Sequence, residues 1–159
     1  MHQYDYVIVG AGSAGSALAS RLSESGKFTV CLLEAGGSDR KFWVQMPLGY
    51  GKVFHDPSVN WRYMTEPEPN LDNQSVYWPR GKVLGGSSSI NAMVWVRGHK
   101  RDYEEWASVA PGWDWNNVQK IFNRIENWDG TSDVSRGMNG PQAVHDVSSD
   151  VHPLTISYL

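Results

Sequence analysis

The sequence predicts an α/β fold organised on a Rossmann-like strand–turn–helix–strand unit and extended by long loop excursions. Three observations predict it. A short apolar run, Tyr6-Val7-Ile8-Val9, ends in the turn Gly10-Ala11-Gly12-Ser13-Ala14-Gly15. Ala14, Ala17, Leu18, Ala19 and Leu22 then recur at helical spacing until Ser25-Gly26 breaks the pattern. A second apolar run, Val30-Cys31-Leu32-Leu33, leads into Glu34. Both runs are short and apolar, the first rich in β-branched residues, so they read as buried strands.

Each part of this unit has a physical task. Gly10 permits the tight turn, Gly12 admits a pyrophosphate close to the backbone, and Gly15 lets helix and strand pack closely. The helix N-terminus offers unpaired N–H groups and a positive dipole end to phosphates. Glu34 follows Gly15 by 19 residues, near the spacing at which a carboxylate accepts from adenosine ribose hydroxyls. A glycine turn after a strand is by itself a common structural device. Strand, helix, second strand and terminal acid together point to dinucleotide binding. No arginine or lysine stands beside Glu34 to meet a 2′-phosphate, which disfavours NADP; FAD and NAD both fit.

The 159 residues suffice for one domain with a core. Fourteen Lys and Arg against seventeen Asp and Glu give a charge of −3, with no basic footprint for nucleic acid. No apolar run reaches the length of a membrane span. The first strand starts almost at Met1, which leaves no room for a secretory or transit segment, and a cytoplasmic location is expected. Cys31 is the sole cysteine, so an intrachain disulfide is excluded. Inside the second strand it reads as a small buried hydrophobe rather than a reactive thiol. Eight tryptophans, most beyond the opening unit, predict later packing around large aromatics.

Beyond Glu34, Ala35-Gly36-Gly37-Ser38-Asp39 is a loop where main chain can approach an adenosine; an ordinary turn explains it equally. From 41 to 79 no long helical or alternating pattern holds, and prolines and glycines punctuate aromatic bulk. A loop that long is uncommon unless functional, so it reads as an ordered excursion over a ligand or a second domain. Within it Asn60 to Thr65 and Ser75 to Trp78 alternate as two short strands. Next comes Gly81-Lys82-Val83-Leu84-Gly85-Gly86-Ser87-Ser88-Ser89-Ile90-Asn91-Ala92-Met93-Val94. Paired glycines let main chain meet a flat or anionic ligand, and the serines cap a turn whose N–H groups form an anion-binding nest. A flexible Gly-Ser linker would not carry Val83, Leu84, Ile90 and Met93 so regularly.

The run from Gly81 to Asn91, followed by Trp95, Gly98 and Glu104, resembles the first signature of the glucose-methanol-choline (GMC) flavin oxidoreductases. The opening unit, ending in Leu32-Leu33-Glu34-Ala35-Gly36, is similar to that family's FAD-binding βαβ unit, as are Arg97 to Tyr103 and Pro111-Gly112-Trp113 to its next segments. The resemblance runs in order from Tyr4 to the end of the chain, and it selects FAD over NAD. It implies an FAD-dependent oxidoreductase that moves hydride from an alcohol to flavin N5 and passes electrons to oxygen, a quinone or another acceptor. It places Gly10, Gly12, Ser13, Ala14 and Gly15 on the pyrophosphate and Glu34, with Ala35 beside it, on the adenosine. Val83, Gly85, Gly86 and Ser87 would line the cofactor, and Asn91, Ala92, Met93 and Val94 would run along the flavin ring. Some members link flavin through a histidine where this chain has Ile90, so FAD is expected to be held noncovalently.

Lys100 to Ala107 reads as a short amphipathic helix, and Asn116 as the N-cap of a second that aligns Val118, Ile121, Phe122 and Ile125. Asp129 to Gly140 is a polar loop or hinge. Gly140 to Val147 resembles the family's crossing into its substrate domain. Residues 1–137 are therefore expected to be the N-terminal portion of an FAD-binding domain, and 138–159 the start of a substrate domain truncated there. Asp150 to Pro153 reads as a helix entry, with Leu154, Ile156, Tyr158 and Leu159 as its start. The family's catalytic histidine pair has no counterpart among His2, His55, His99, His145 and His152, so no catalytic residue is assigned. His99 reads as a loop contact. No pair of histidines has metal-ligand spacing with a carboxylate.

Overall fold

The computed structural model describes residues 3–131, 133–147 and 151–152. The chain divides into two compact units, Met1–Val94 and Trp95–Leu159. The expected domain boundary at 137/138 falls inside the second.

In the first unit, strand β1 (Tyr6–Val9) pairs in parallel with β2 (Val30–Leu33), Tyr6 opposite Val30 and Val9 opposite Leu33. Parallel neighbours need a crossover, and helix α1 (Ser13–Ser23) supplies it. β1 ends where Gly10 turns to φ +95, a left-handed backbone that favours glycine. These strands are not the buried ones expected. Val7 and Val9 are 59% and 83% exposed and Leu33 49%, because this sheet has two strands only among the described residues. Cys31 is likewise half-buried rather than buried.

The excursion from 41 to 79 is ordered by short pieces: one-turn helices α2 (Phe42–Gln45) and α3 (Tyr50–Val53), with a 3₁₀ turn at Pro47–Gly49 between them. Strands β3 (Tyr63–Met64) and β4 (Tyr77–Trp78) form an antiparallel pair, shorter than the alternation predicted. The core of this unit is Val53, Val59, Val83 and Ile90, with Val44 and Phe54 packed on it. Asn60, 2% exposed, fastens the excursion down. Its Nδ2 donates to the Phe54 carbonyl at 2.8 Å, and its Oδ1 accepts from the Arg62 and Arg80 N–H groups at 2.9 and 3.0 Å.

In the second unit, helix α4 (Lys100–Ala107) starts at His99, whose Nδ1 accepts from the Arg101 N–H at 3.2 Å, while Asp102 accepts from the His99 N–H at 3.1 Å. His99 is thus a helix cap rather than a loop contact. Helix α5 (Trp115–Ile125) is capped by Asp114, whose Oδ1 accepts from the Asn117 N–H at 3.1 Å. Asn116 is not the cap; it lies inside the first turn, and the extended residue whose side chain can reach back is Asp114. Tyr103, buried, packs against the rings of Trp106, Trp115 and Phe122.

Two strands went unforeseen. β5 (Glu126–Trp128) and β6 (Gln142–Val144) pair in parallel, each too short to show an alternation. Glu126 is fully buried. It accepts from Trp95 Nε1 at 2.8 Å and from the Gly137 N–H at 3.1 Å, and it pairs with the guanidiniums of Arg97 and, at 3.1 Å, Arg136. Burial pushes its carboxyl up, but the Gly137 and Trp95 donors and the two cations together hold it below the usual carboxylate range. The helix expected from Asp150 onward lies outside the described residues, apart from Val151 and His152.

Candidate functional site

The two glycine motifs of the sequence meet inside the first unit. Segment 83–86 runs beside the opening turn: the Gly85 N–H donates to the Ala11 carbonyl at 2.8 Å and the Leu84 N–H to the Gly37 carbonyl at 2.9 Å. Gly85 and Gly86 both take positive φ, +88 and +59, and the 3₁₀ turn Gly86–Ser89 follows. A Cβ on Gly86 would stand 2.8 Å from the Gly12 Cα. The Ser13 and Ser88 hydroxyls touch across the same junction. Ser87 Oγ accepts from the Gly81 N–H at 3.1 Å, and Ser89 Oγ donates to the Leu84 carbonyl at 2.7 Å. The serines hold the turn in shape from within.

Glu34 closes the opening unit. Its Oε2 accepts from the Ala11 N–H and its Oε1 from the Gly36 N–H, both at 2.8 Å. Each oxygen retains a lone pair beyond that bond, because a carboxylate offers about four acceptor sites. The acid therefore pins the turn to the strand end and still presents acceptor capacity to the cleft it lines.

That cleft measures about 620 Å³, within the range of about 300–1,000 Å³ that small-molecule and cofactor sites occupy. Gly10, Gly12, Glu34, Ala35, Gly86 and Ser87 line it together. Trp61, Tyr63, Arg80 and Gly81 line it too, and sequence reasoning did not assign them. Trp61 and Tyr63 flank Arg62, whose φ of +58 no sequence periodicity announces, and their rings stack at 6°. Asn91 and Met93 line a separate cleft of about 130 Å³ with Trp43, Met46, Tyr50 and Ser88. Ala92 and Val94 are exposed. Val83 is wholly buried and Gly85 is held to Ala11, and neither is among the residues lining the cleft. Ile90 sits in the aliphatic core.

A dinucleotide fits these residues on two observations. Helix α1 opens at Gly12 with no side-chain cap and no acid in its first turn, so the N–H groups around Ser13, Ala14 and Gly15 keep capacity for an anion. Gly12 itself has φ −79, and a Cβ there would meet nothing closer than the Gly86 Cα at 3.9 Å. The protein's own packing therefore does not demand glycine at 12. Gly15 differs, since its Cβ would fall 1.9 Å from the Gly10 carbonyl oxygen.

The described histidines are engaged otherwise. His55 stacks on Tyr77, His99 caps α4, and His145 Nδ1 contacts Asp129. No helix among the described residues is long and apolar enough to cross a membrane.

Comparison with known proteins agrees with this geometry. The chain is similar to an oxygen-dependent choline dehydrogenase of Photobacterium profundum, 51% identical over 139 residues, which is 87% of this chain and 24% of that protein. It superposes on pyridoxine 4-oxidase from Mesorbium loti with a TM-score of 0.90 and 34% identity, covering 98% of this chain and 31% of that one. A formate oxidase variant of Aspergillus oryzae, in which FAD modification was followed, gives a TM-score of 0.79 at 28% identity, over 89% of this chain and 26% of that one. The chain thus spans about a quarter of the length of the curated relative it matches. The GMC oxidoreductase family model matches residues 4–156, and with the fold of that family's N-terminal FAD-binding domain in place, this chain belongs to the GMC oxidoreductases.

Proposed function

We propose that this chain binds FAD noncovalently and serves an oxidoreductase acting on the CH–OH group of a small alcohol. The observation that carries the reading is the junction of the two glycine motifs at the uncapped N-terminus of α1, beside a cleft that Glu34 lines. In this reading Gly10, Gly12, Ser13, Ala14 and Gly15 receive the pyrophosphate. Glu34 and Ala35 hold the adenosine, and Val83, Gly85, Gly86 and Ser87 line the cofactor. Asn91, Ala92, Met93 and Val94 offer backbone to the flavin ring. The chemistry that FAD supplies when bound is hydride acceptance at flavin N5 from the carbinol carbon. Relatives described as a choline dehydrogenase and a pyridoxine oxidase support an alcohol as donor; oxygen, a quinone or another acceptor takes the electrons.

Noncovalent attachment is supported by Ile90, which has no nucleophile and packs against Val53, Val59 and Val83. The division at 137/138 into cofactor and substrate domains, and the cytoplasmic setting, belong to the same proposal. The experiment is to load the purified chain with FAD and precipitate it with acid. All flavin absorbance is expected in the supernatant. Flavin left in the pellet overturns noncovalent attachment, and failure to take up FAD at all overturns the cofactor assignment.

A further inference from the structure

We propose that Arg80 is the cofactor's pyrophosphate counter-ion, a binding residue that swings from the neighbouring Pro79 carbonyl onto the phosphates. The inference rests on the reading of the 620 Å³ cleft as the FAD site.

The main chain of Arg80 is held unusually well for a loop residue. Its N–H donates to Oδ1 of the buried Asn60 at 3.0 Å, and its carbonyl accepts from the Trp61 N–H at 2.9 Å. Gly81 then fixes where the next residue lies, since a Cβ on it would fall 2.2 Å from the Gly86 carbonyl carbon. Gly86 in turn abuts Gly12, the residue from which α1 starts. Two glycine contacts thus separate the residue after Arg80 from the helix N-terminus proposed to bind phosphate.

The side chain is poised rather than committed. Its guanidinium lies 4.7 Å over the Trp78 ring, and Nη1 donates to the neighbouring Pro79 carbonyl at 2.7 Å. Neither partner is an anion. A guanidinium has five donors in a planar fork, so most of its hydrogen-bonding capacity is unspent, and that fork matches phosphate geometry. Of the cleft's lining, Arg80 is the cation and Glu34 the carboxylate. Glu34 is tied to Ala11 and Gly36, so the two charges have separate tasks, one toward ribose and one toward phosphate. The Trp78 face supports the flat guanidinium while it waits and leaves its edge free to turn.

The test separates charge on phosphate from a structural role by using two ligands, ADP and adenosine. Arg80→Gln and Arg80→Lys are compared with the parent chain by equilibrium titration at low and high NaCl. Arg80→Gln is expected to weaken ADP at least tenfold and to leave adenosine within twofold. Its ADP affinity should also fall less steeply with salt than the parent's, because one screened charge pair is gone. Arg80→Lys keeps a cation and should retain the parent's salt dependence with an intermediate affinity; this variant stands if Arg80→Gln folds poorly. Equal ADP affinity in parent and Arg80→Gln overturns the proposal, as does an equal loss for ADP and adenosine. If the parent binds neither FAD nor ADP, the underlying cofactor reading falls and this inference falls with it.

Discussion

Glu34 shows how one side chain carries two loads. Its carboxylate is bonded to the Ala11 and Gly36 N–H groups, and it lines the cleft as well. Glu34→Ala is expected to weaken FAD binding by about 1.5–3 kcal/mol, the range for hydrogen bonds to a charged group. Two turn N–H groups lose their acceptor in the same change, so the thermal midpoint should fall too. FAD titration and thermal unfolding read the two effects separately. A Glu34→Ala chain with parental FAD affinity would leave the acid as a turn clamp only. Gly12 and Gly15 give a sharper contrast. Gly15→Ala drives a Cβ into the Gly10 carbonyl and should destabilise the fold by about 1–3 kcal/mol, as overpacking does. Gly12→Ala meets only an ordinary contact with the Gly86 Cα at 3.9 Å and should leave the denaturation curve in place while FAD affinity drops. Equal stability losses in the two variants would refute the division of labour between these glycines.

At the scale of elements, what was legible in the sequence tracks length and periodicity. The elements of the β1–α1–β2 unit were legible, though not the exposure of its strands, because a strand and an 11-residue helix with a glycine fingerprint carry a repeated local signal. Strands β5 and β6 were not, since three residues each cannot display a period and their pairing depends on Glu126. A charged residue at the core of a unit reads in sequence as a surface position. Its partners, Trp95, Arg97, Arg136 and Gly137, are scattered along the chain. The glycines of the opening turn could be named from spacing alone, whereas Arg80 and Trp61 are set beside the cleft through the Asn60 clamp, a tertiary fact. Removing one member of a buried ion pair costs about 3–5 kcal/mol, because the other charge stays buried. Glu126→Gln is accordingly expected to destabilise the second unit by an amount of that order in urea unfolding. The pH dependence has a definite sign. The folded carboxyl of Glu126 sits below its ordinary range, so its stabilisation is present above the unfolded-state value and disappears as pH falls through the folded one. In Glu126→Gln this acid-side loss should flatten; an unchanged acid limb would mean that other carboxylates govern it.

At the scale of the whole molecule, cofactor binding and turnover separate. General acid–base catalysis contributes about 10²–10⁴-fold and needs a base within hydrogen-bond reach of the substrate hydroxyl. His55, His99 and His145 are engaged with Tyr77, the α4 N-terminus and Asp129, and the chain spans about a quarter of its curated relative. The 159 residues are therefore expected to show no alcohol-dependent reduction of an artificial acceptor, whatever alcohol is offered. FAD-dependent turnover would place a base within this stretch, with His99 and His145 the first to replace. The exposed faces of Val7, Val9 and Leu33 add that the isolated chain should associate as its concentration rises, since apolar strand surface without a partner invites pairing.

The interlock between residues far apart in the chain also limits how this fold can be recombined. A Cβ on Gly36 would fall 2.0 Å from the Lys82 carbonyl carbon, and one on Gly86 2.8 Å from the Gly12 Cα. Residues 10–37 and 81–89 are thus inherited together in any chimera of two relatives: a crossover placed anywhere between them, the β3–β4 hairpin tip near Asn70 included, works only when both parents agree at these contacts.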